Sequence, residues 1–320
     1  MRAAPNPLAM LTLLALTGLA GCSLPPYFAT PAVQKAAQVP PLPRPGPAVV
    51  APSALSQATR DYYAGVQTGL LMQGLLRTDR GGRDTPFTDR NLTDNFIQVA
   101  LFDEYAETGG KLVQRQTPGR LRRWEQPVRL AVEFGASVPL PQRGKDVADV
   151  AAFAGELARA SGHPVALSPD APNFTVLILN EDERRAAAPR LRALVPGISP
   201  LDLATVTGMP PETYCLVFAY SNSSTSTYDQ AVAVIRGEHP DLLRLTCIHE
   251  ELAQGMGLAN DSPAARPSVF NDDEEFALLT RQDALMLKML YDRRLTPGMM
   301  PEQARPIAAT IAAELLGGQS

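Results

Sequence analysis

Proline recurs throughout the segment from Leu24 to Ser53, and this limits where the chain can fold. The prolines run from Pro25 to Pro52 and are densest just before residue 50. Each one removes a backbone hydrogen-bond donor and favours extended polyproline-type conformation. We therefore predict a semi-rigid tether over residues 22–53 and expect the folded part to begin after it.

An apolar run, Leu8 to Ala20, precedes this tether. Its length matches the hydrophobic part of a signal peptide and is too short to span a membrane, and Arg2 supplies the positive start. The run ends in Leu19-Ala20-Gly21-Cys22, which resembles the lipobox of bacterial lipoproteins. The resemblance implies a signal peptide over residues 1–21, cleavage before Cys22 and acylation of this cysteine with chains such as palmitate. An ordinary secretory signal with a chance cysteine is the alternative.

The same resemblance implies a destination. Ser23, rather than an aspartate, follows the cysteine, which favours the outer membrane with the folded part facing the periplasm. Two or three acyl chains make a stable anchor, so the membrane is an expected partner through Cys22. The net charge of -4 and pI near 5.5 give no reason to expect nucleic acid as a partner.

The remaining cysteines indicate a disulfide. Once Cys22 is acylated, only Cys215 and Cys247 are left, and the bacterial envelope is oxidising enough to pair them. We predict a Cys215–Cys247 bridge, with two buried free thiols as the alternative.

The segment after the tether has helical periodicity. Ser53 is a suitable N-cap for a helix running to about Arg77, and a second helix is predicted from Leu92 to Glu107, closed by Gly109 and Gly110. Residues 54–128 are therefore predicted to form an N-terminal helical region.

From Arg129 the pattern changes to alternating strands and helices. Strands are predicted at residues 129–134, 175–179, 214–220 and 231–236, and helices at 146–161 and 241–257. This order predicts an α/β fold with a mixed sheet over residues 129–300, followed by a C-terminal helix over 301–320. Because the chain has no Gly-rich phosphate loop and no G-x-S-x-G motif, nucleotide binding and serine-hydrolase chemistry lack support.

The late helix, Asp241 to Gly257, has two different faces. At about 100° per residue, Glu250 and Gln254 point away from the core, with Glu251 beside them. The apolar face is formed by Leu245, Ile248, Leu252 and Met256.

This helix resembles the motif His-Glu-x-x-His-x-x-Gly-x-x-His of metzincin zinc proteases, but only in its spacing. The three ligand positions fall on Glu250, Gln254 and Asn260, the general base on Glu251, and the turn glycine on Gly257. The likeness of layout runs from Arg129 to Tyr291, with Ser268-Val269-Phe270 at the Met-turn. It implies a zincin-like fold with a motif-bearing late helix.

None of these ligand positions is a histidine. The chain has only His163, His239 and His249, so one chain cannot supply a three-histidine site. We interpret His249 as a residue at the packed edge of the helix rather than as the first ligand of a zinc motif.

The helix also resembles an uncharacterised bacterial family, the domain-of-unknown-function family 2927, whose signature is similar to Glu-Glu-x-x-Gln-x-x-Gly-Leu-x-Asn-Asp. Here the matching stretch runs from Glu250 to Asp261, and further likeness lies at Arg123-Trp124-Glu125 and Asn173-Phe174-Thr175-Val176. The resemblance implies that Glu, Gln and Asn at these positions are typical of the family and are not the result of decay in this chain. It implies no particular reaction.

Two functions compete on this basis. The first is binding or assembly in the envelope, with an envelope protein or peptidoglycan as partner and with Glu250, Glu251 and Gln254 hydrogen-bonded to the next loop. The alternative is a peptidase-like hydrolase in which Glu251 is the general base and Glu250, Gln254, Asn260 or Asp261 bind a divalent cation. Such oxygen ligands suit Ca²⁺ or Mn²⁺ better than Zn²⁺.

The acidic run Asn271 to Glu275 offers a third possibility, a structural Ca²⁺ site. It lacks the D-x-D-x-D-G spacing of Ca²⁺ loops, so we predict a solvated loop there instead.

Overall fold

The computed structural model describes residues 50–109, 111–222 and 224–317. The predicted signal peptide, Cys22 and nearly all of the predicted tether lie outside the described residues. Within the described ranges, no helix has both the length and the apolar character needed to cross a membrane.

Two helices open the folded part. Helix α1 spans Ala54–Met72, and the Ser53 side chain accepts a hydrogen bond from the Ser56 amide at 3.1 Å, which confirms the predicted N-cap. The helix ends before Arg77 because Gly74 adopts a left-handed conformation, with φ of 76°. Helix α2 spans Asp89–Leu101.

A β-hairpin follows α2 where we predicted more helix. Strands β1 (Phe102–Thr108) and β2 (Lys111–Pro118) pair in antiparallel fashion. The predicted helix to Glu107 is therefore wrong beyond Leu101, and residues 54–128 are not purely helical. Aromatic and β-branched residues in this stretch favour extended structure, and Gly109, at φ of 60°, lies in the hairpin turn rather than at a helix end.

The central sheet has five strands and confirms the predicted α/β class. They are β3 (Val128–Phe134), β4 (Val165–Leu167), β5 (Phe174–Leu179), β6 (Cys215–Ser221) and β7 (Tyr228–Arg236). Their order is β4-β3-β5-β7-β6, and the sheet is mixed because β6 runs antiparallel to β7 while the other pairs are parallel. Strand β6 therefore forms one edge.

Helices cover both faces of this sheet. The remaining helices are α3 (Leu140–Ser161), α4 (Glu181–Arg185), α5 (Ala188–Leu194), α6 (Pro200–Thr207), α7 (Asp241–Gln254), α8 (Arg281–Leu290) and α9 (Pro301–Leu315). Alternate residues of β5 point to opposite faces, so Val176 packs in the core with α3, α7 and α8, whereas Leu177 packs with α5 and α6. The predicted C-terminal helix corresponds to α9.

The two cysteines form the predicted bridge. The Cys215 and Cys247 sulfur atoms are 2.00 Å apart and the Cα atoms 5.9 Å apart, as in an ordinary disulfide. The alternative of two free thiols is therefore wrong. Because Cys215 opens β6 and Cys247 lies in the middle of α7, the bridge joins the edge strand to the motif-bearing helix.

Candidate functional site

Helix α7 is held by its apolar face. The side chains of Ile248, Leu252 and Met256 are fully buried in the main core, while Glu250 on the opposite side is partly exposed. Glu251 lies between these faces and only 3% of it is exposed. The predicted division is confirmed for these four residues. Glu251 and Gln254, which is 8% exposed, are buried more deeply than predicted, and Leu245 is partly exposed.

The end of α7 is closely packed. The Trp124 indole donates a hydrogen bond to the Gly255 carbonyl at 2.8 Å, and the Tyr291 hydroxyl donates to the Met256 carbonyl at 3.0 Å. A side chain at Gly255 would overlap the ring of Phe174. At Gly257, φ is 120°, a conformation that favours glycine. These contacts fix the direction in which the chain leaves the helix toward Asn260 and Asp261.

Glu250, Glu251 and Cys215 come together at the sheet edge. One carboxylate oxygen of each glutamate and the Cys215 sulfur all lie within 4.8 Å of one another. Because that sulfur is bonded to Cys247, only the two carboxylates are available as ligands in this state. The Glu251 Oε2 atom is buried and has no hydrogen-bond partner among the described residues.

Gln254 and Asp261 form a second part of the site. The Gln254 side-chain amide donates to Asp261 Oδ1 at 3.2 Å, and the Gln116 amide of β2 donates to the Asp261 carbonyl at 2.6 Å. The prediction that Gln254 holds the next loop is confirmed. The same prediction for Glu250 and Glu251 is wrong, since within the described part of the chain neither carboxylate accepts a hydrogen bond from that loop.

Asn260 has a different role. Its side-chain amide donates to the Gln98 carbonyl at 2.8 Å, and its backbone amide donates to the Val99 carbonyl at 3.0 Å. Asn260 thereby ties the loop to the last turn of α2. Its Oδ1 atom is buried without a partner among the described residues, but the amide nitrogen is engaged away from Glu250 and Glu251.

The carboxyl groups of the site repel one another. Burial raises the pKa of Glu250 well above its ordinary value, and the charges of Asp261 and Glu251 raise it further. Burial, followed by the charges of Glu104 and Asp261, does the same to Glu251. The pKa of Asp261 is also raised, by burial and by Glu104. Either protonation of these carboxyl groups or a bound cation reduces their mutual repulsion.

Two further acidic residues contribute that the sequence did not identify as site residues. Glu104 lies where the β1–β2 pairing is irregular, a feature that changes the direction of a side chain. Burial, with Asp272 and Asp273, raises the pKa of Glu274 to about 7, and the Glu274 charge acts on Glu250 and Asp261. In the sequence, Glu274 was marked only by its place in the acidic run. Glu104 was not identified because a helix was wrongly predicted at its position.

The rest of the acidic run behaves as a surface loop. Asp272 and Asp273 are exposed, and Glu275 accepts hydrogen bonds from Arg266 at 2.6 Å and from Arg77 at 3.0 Å. This agrees with the predicted solvated loop, apart from Glu274 and from Asn271, which is buried.

His249 is a packing residue, as predicted. Its ring lies 3.9 Å from the ring of Phe153, and its Nδ1 accepts a hydrogen bond from the Leu279 amide at 3.1 Å. Only 5% of the residue is exposed. Because it points into the core, His249 is not part of the carboxylate cluster.

The segment likened to a Met-turn is tied to α8. The carboxylate of Asp283 accepts hydrogen bonds from the Ser268 hydroxyl at 2.5 Å and from the Thr280 hydroxyl at 2.9 Å, and Phe270 is fully buried. These bonds explain why Asp283 is tolerated in the core. The likeness to metzincins itself stays a prediction.

Two surface clefts of ligand size lie elsewhere. One, of about 450 Å³, lies between α1 and the segment around Met209, and the other, of about 500 Å³, lies around Phe87 and Pro267. Neither is lined by Glu250, Glu251 or Asp261. Their linings contain no comparable group of unpaired carboxylates, so we place the candidate site at α7.

Comparison with known proteins supports one assignment. A family model described as "Protein of unknown function (DUF2927)" matches residues 89–310. No curated protein and no solved structure matches the chain. Since the match covers more than half of the sequence and includes α7 with all its carboxylates, the protein belongs to the DUF2927 family.

Proposed function

We propose that this protein is an envelope lipoprotein, anchored through Cys22, whose α/β domain binds a divalent cation at Glu250 and Glu251, with Asp261 close enough to act through its charge. The single observation that carries the cation site is the buried, unpartnered Oε2 atom of Glu251 next to a second carboxylate. Removing a carboxylate from water without a partner costs several kcal/mol, of order 5. A divalent cation offsets this cost and the mutual repulsion at once.

The ligand chemistry favours a hard cation. Carboxylate oxygens are the ligands that Ca²⁺ and Mn²⁺ prefer, and the partly exposed Glu250 gives the ion access to solvent. The hydrogen bond of 3.2 Å from Gln254 holds Asp261, whose charge acts on both glutamates. The cation-bound domain then serves binding or assembly in the envelope.

The location is supported by the cysteines. The disulfide between Cys215 and Cys247 is typical of proteins outside the reducing cytosol, and the lipobox-like sequence precedes Cys22 directly. We expect the wild-type protein in the outer-membrane fraction and the Cys22→Ala protein released from membranes. Membrane association of Cys22→Ala that persists after a carbonate wash would contradict the anchor.

The cation site is tested by metal analysis of the detergent-solubilised protein, purified without chelator, and by titration calorimetry with Mn²⁺ and Ca²⁺. We expect one ion per chain in the wild type and loss of binding in Glu250→Gln and Glu251→Gln. Glu302→Gln, an exposed residue of α9, is the matched control and should bind normally. Absence of any ion and of any calorimetric signal would refute the site.

Hydrolysis of a peptide or cell-wall substrate is the second candidate function. It is favoured by Glu251 Oε2, which is not engaged by any described group and is free to accept a proton from a water molecule. Here Glu251→Gln should keep the cation and lose turnover, because Glu251 is then a base rather than a ligand. In the binding function, Glu251→Gln loses the cation itself.

A further inference from the structure

The disulfide adjoins the proposed cation site. The Cys215 sulfur lies within 4.8 Å of a carboxylate oxygen of both Glu250 and Glu251. A disulfide sulfur is a poor metal ligand, whereas a free cysteine thiolate is among the strongest for Zn²⁺. The redox state of this sulfur therefore changes the set of donor atoms around the carboxylates.

The two sulfurs have different surroundings. Cys215 is partly exposed on the edge strand β6, whereas only 1% of Cys247 is exposed. The Cys247 sulfur lies 3.7 Å from Nδ1 of His239, whose ring is fully buried and packs 4.4 Å from the ring of Tyr63. With its proton on Nδ1, His239 can donate a hydrogen bond to a Cys247 thiolate. These surroundings favour attack by a thiolate on the more exposed Cys215 sulfur, with Cys247 as the leaving group.

We propose that reduction of the Cys215–Cys247 disulfide converts the oxygen site into a zinc site, with the Cys215 thiolate, Glu250 and Glu251 as ligands. The proposal rests on the proposed cation site and adds a switch of metal preference to it. Three protein ligands leave a fourth tetrahedral position open, which the partly exposed Glu250 keeps in contact with solvent. The unpartnered Glu251 Oε2 is a donor that requires no other group to be displaced.

The reductant is a dithiol of the thiol–disulfide oxidoreductase class. Its thiolate attacks the Cys215 sulfur, a mixed disulfide forms, and the Cys215–Cys247 bond breaks with Cys247 leaving as a thiolate that takes up a proton. The second thiol of the reductant then attacks the mixed disulfide and releases Cys215. In total, two electrons and two protons pass to the protein and the dithiol becomes a disulfide. Zn²⁺ displaces the thiol proton of Cys215 on binding.

Two single-cysteine variants test this proposal because both remove the disulfide. Cys247→Ser and Cys215→Ser both lack the bridge, but only Cys247→Ser keeps a sulfur beside Glu250 and Glu251. We expect Cys247→Ser to bind Zn²⁺ at least about tenfold more tightly than Cys215→Ser, in the full lipoprotein in detergent with a phosphine reductant. Co²⁺ as a probe should give a sulfur-to-metal charge-transfer band in Cys247→Ser and none in Cys215→Ser.

The outcomes separate this proposal from the cation site itself. Equal Zn²⁺ affinity of the two variants and no charge-transfer band would overturn the switch, even if the oxidised wild type binds Mn²⁺. An oxidised wild type that binds neither Mn²⁺ nor Ca²⁺ would overturn the oxygen site, whatever the variants do. Circular dichroism of both variants checks that each is folded, and reduced wild type must behave as Cys247→Ser does.

Discussion

Two buried glutamates of this protein have opposite surroundings. Glu181, in α4, is 5% exposed and accepts hydrogen bonds from Arg184 and Arg185 at 2.7 Å and from Arg236 at 2.6 Å. Glu251, in α7, is 3% exposed, and no arginine or lysine of the described residues pairs with it. The same type of side chain is therefore fully paired in α4, whereas in α7 it has no arginine or lysine partner among the described residues.

The pKa shifts follow this difference. Burial acts to raise the pKa of Glu181, but the hydrogen bonds of Arg184 and Arg185 and the charge of Arg236 outweigh it and lower the pKa to about 2. At Glu251, burial and the neighbouring carboxylates act in the same direction and raise the pKa. At Glu181 the fold supplies arginines that pair with the buried carboxylate. Among the described residues no arginine pairs with Glu251 of α7, and this is the carboxylate at which we propose a cation.

The largest effect is expected from Glu181→Gln. This substitution leaves the buried guanidinium groups of Arg184 and Arg236 without their counter-charge, which should lower the free energy of unfolding by about 3–5 kcal/mol. Urea denaturation at neutral pH measures the change, with Glu302→Gln as the neutral control. If the free energy of unfolding falls by less than about 1 kcal/mol, the ion pairs of Glu181 do not stabilise the fold, and the contrast with Glu251 is wrong.

The stabilisation from Glu181 should also depend on pH. The folded-state pKa of about 2 lies below the ordinary value of 4.5, so the stabilisation is complete above about pH 4.5 and is lost as the pH falls through about 2. The shift corresponds to about 3 kcal/mol. Urea denaturation of wild type and Glu181→Gln between pH 7 and pH 3 should give free energies of unfolding that converge toward the acid end; parallel curves would contradict the shift.

A divalent cation should stabilise the other region by a comparable amount. At a free Mn²⁺ or Ca²⁺ concentration 100 times the Kd, the free energy of unfolding should rise by about 2.7 kcal/mol in the wild type. Glu250→Gln should lose this increase, since it removes a ligand. Thermal unfolding with and without chelator measures it, and an equal rise in Glu250→Gln would place the ion elsewhere.

Removing the unpaired charge should stabilise the cation-free protein. Glu251→Gln replaces a buried carboxylate with a neutral amide of the same shape, so in chelator at neutral pH the free energy of unfolding should increase by about 1–3 kcal/mol. Glu181→Gln is the same chemical change but should lower the free energy of unfolding, so the two variants can be compared directly. Destabilisation by Glu251→Gln in chelator would mean that Glu251 has a partner inside the chain.

The sequence predicted the elements that have strong periodicity. The strands around Val176 and Val234 and helix α7 were predicted from local patterns of apolar residues, and the disulfide was predicted from the cysteine count. The hairpin after Leu101 was not predicted, because its polar residues continue the pattern of α2 and its pairing is decided by contacts across the turn. The three-residue strand β4 is too short to have a pattern.

Only the part of the site on α7 and the loop that follows it was predicted from the sequence. Glu250, Glu251 and Gln254 were identified from their spacing on α7, and Asp261 from the loop that follows. The predicted bridge to Cys247 brings Cys215 to α7, but the contact of its sulfur with Glu250 and Glu251 also depends on β6 being the sheet edge. Glu104 comes from the hairpin that was not predicted. Contacts between elements distant in sequence have no local signal, so the position of Glu104 beside α7 could not be predicted.

The smallest effect is expected from Glu274→Gln. This variant tests whether the acidic loop contributes to cation binding at Glu250 and Glu251. Glu274 is partly exposed and acts on Glu250 and Asp261 through its charge alone. Neutralising it should weaken Mn²⁺ binding only about two- to fivefold at low ionic strength, and the difference should vanish in 1 M salt, where the screening length is about 3 Å. Calorimetry at both salt concentrations measures this. Complete loss of binding in Glu274→Gln at either concentration would make Glu274 a ligand and move the centre of the site from α7 toward the acidic loop.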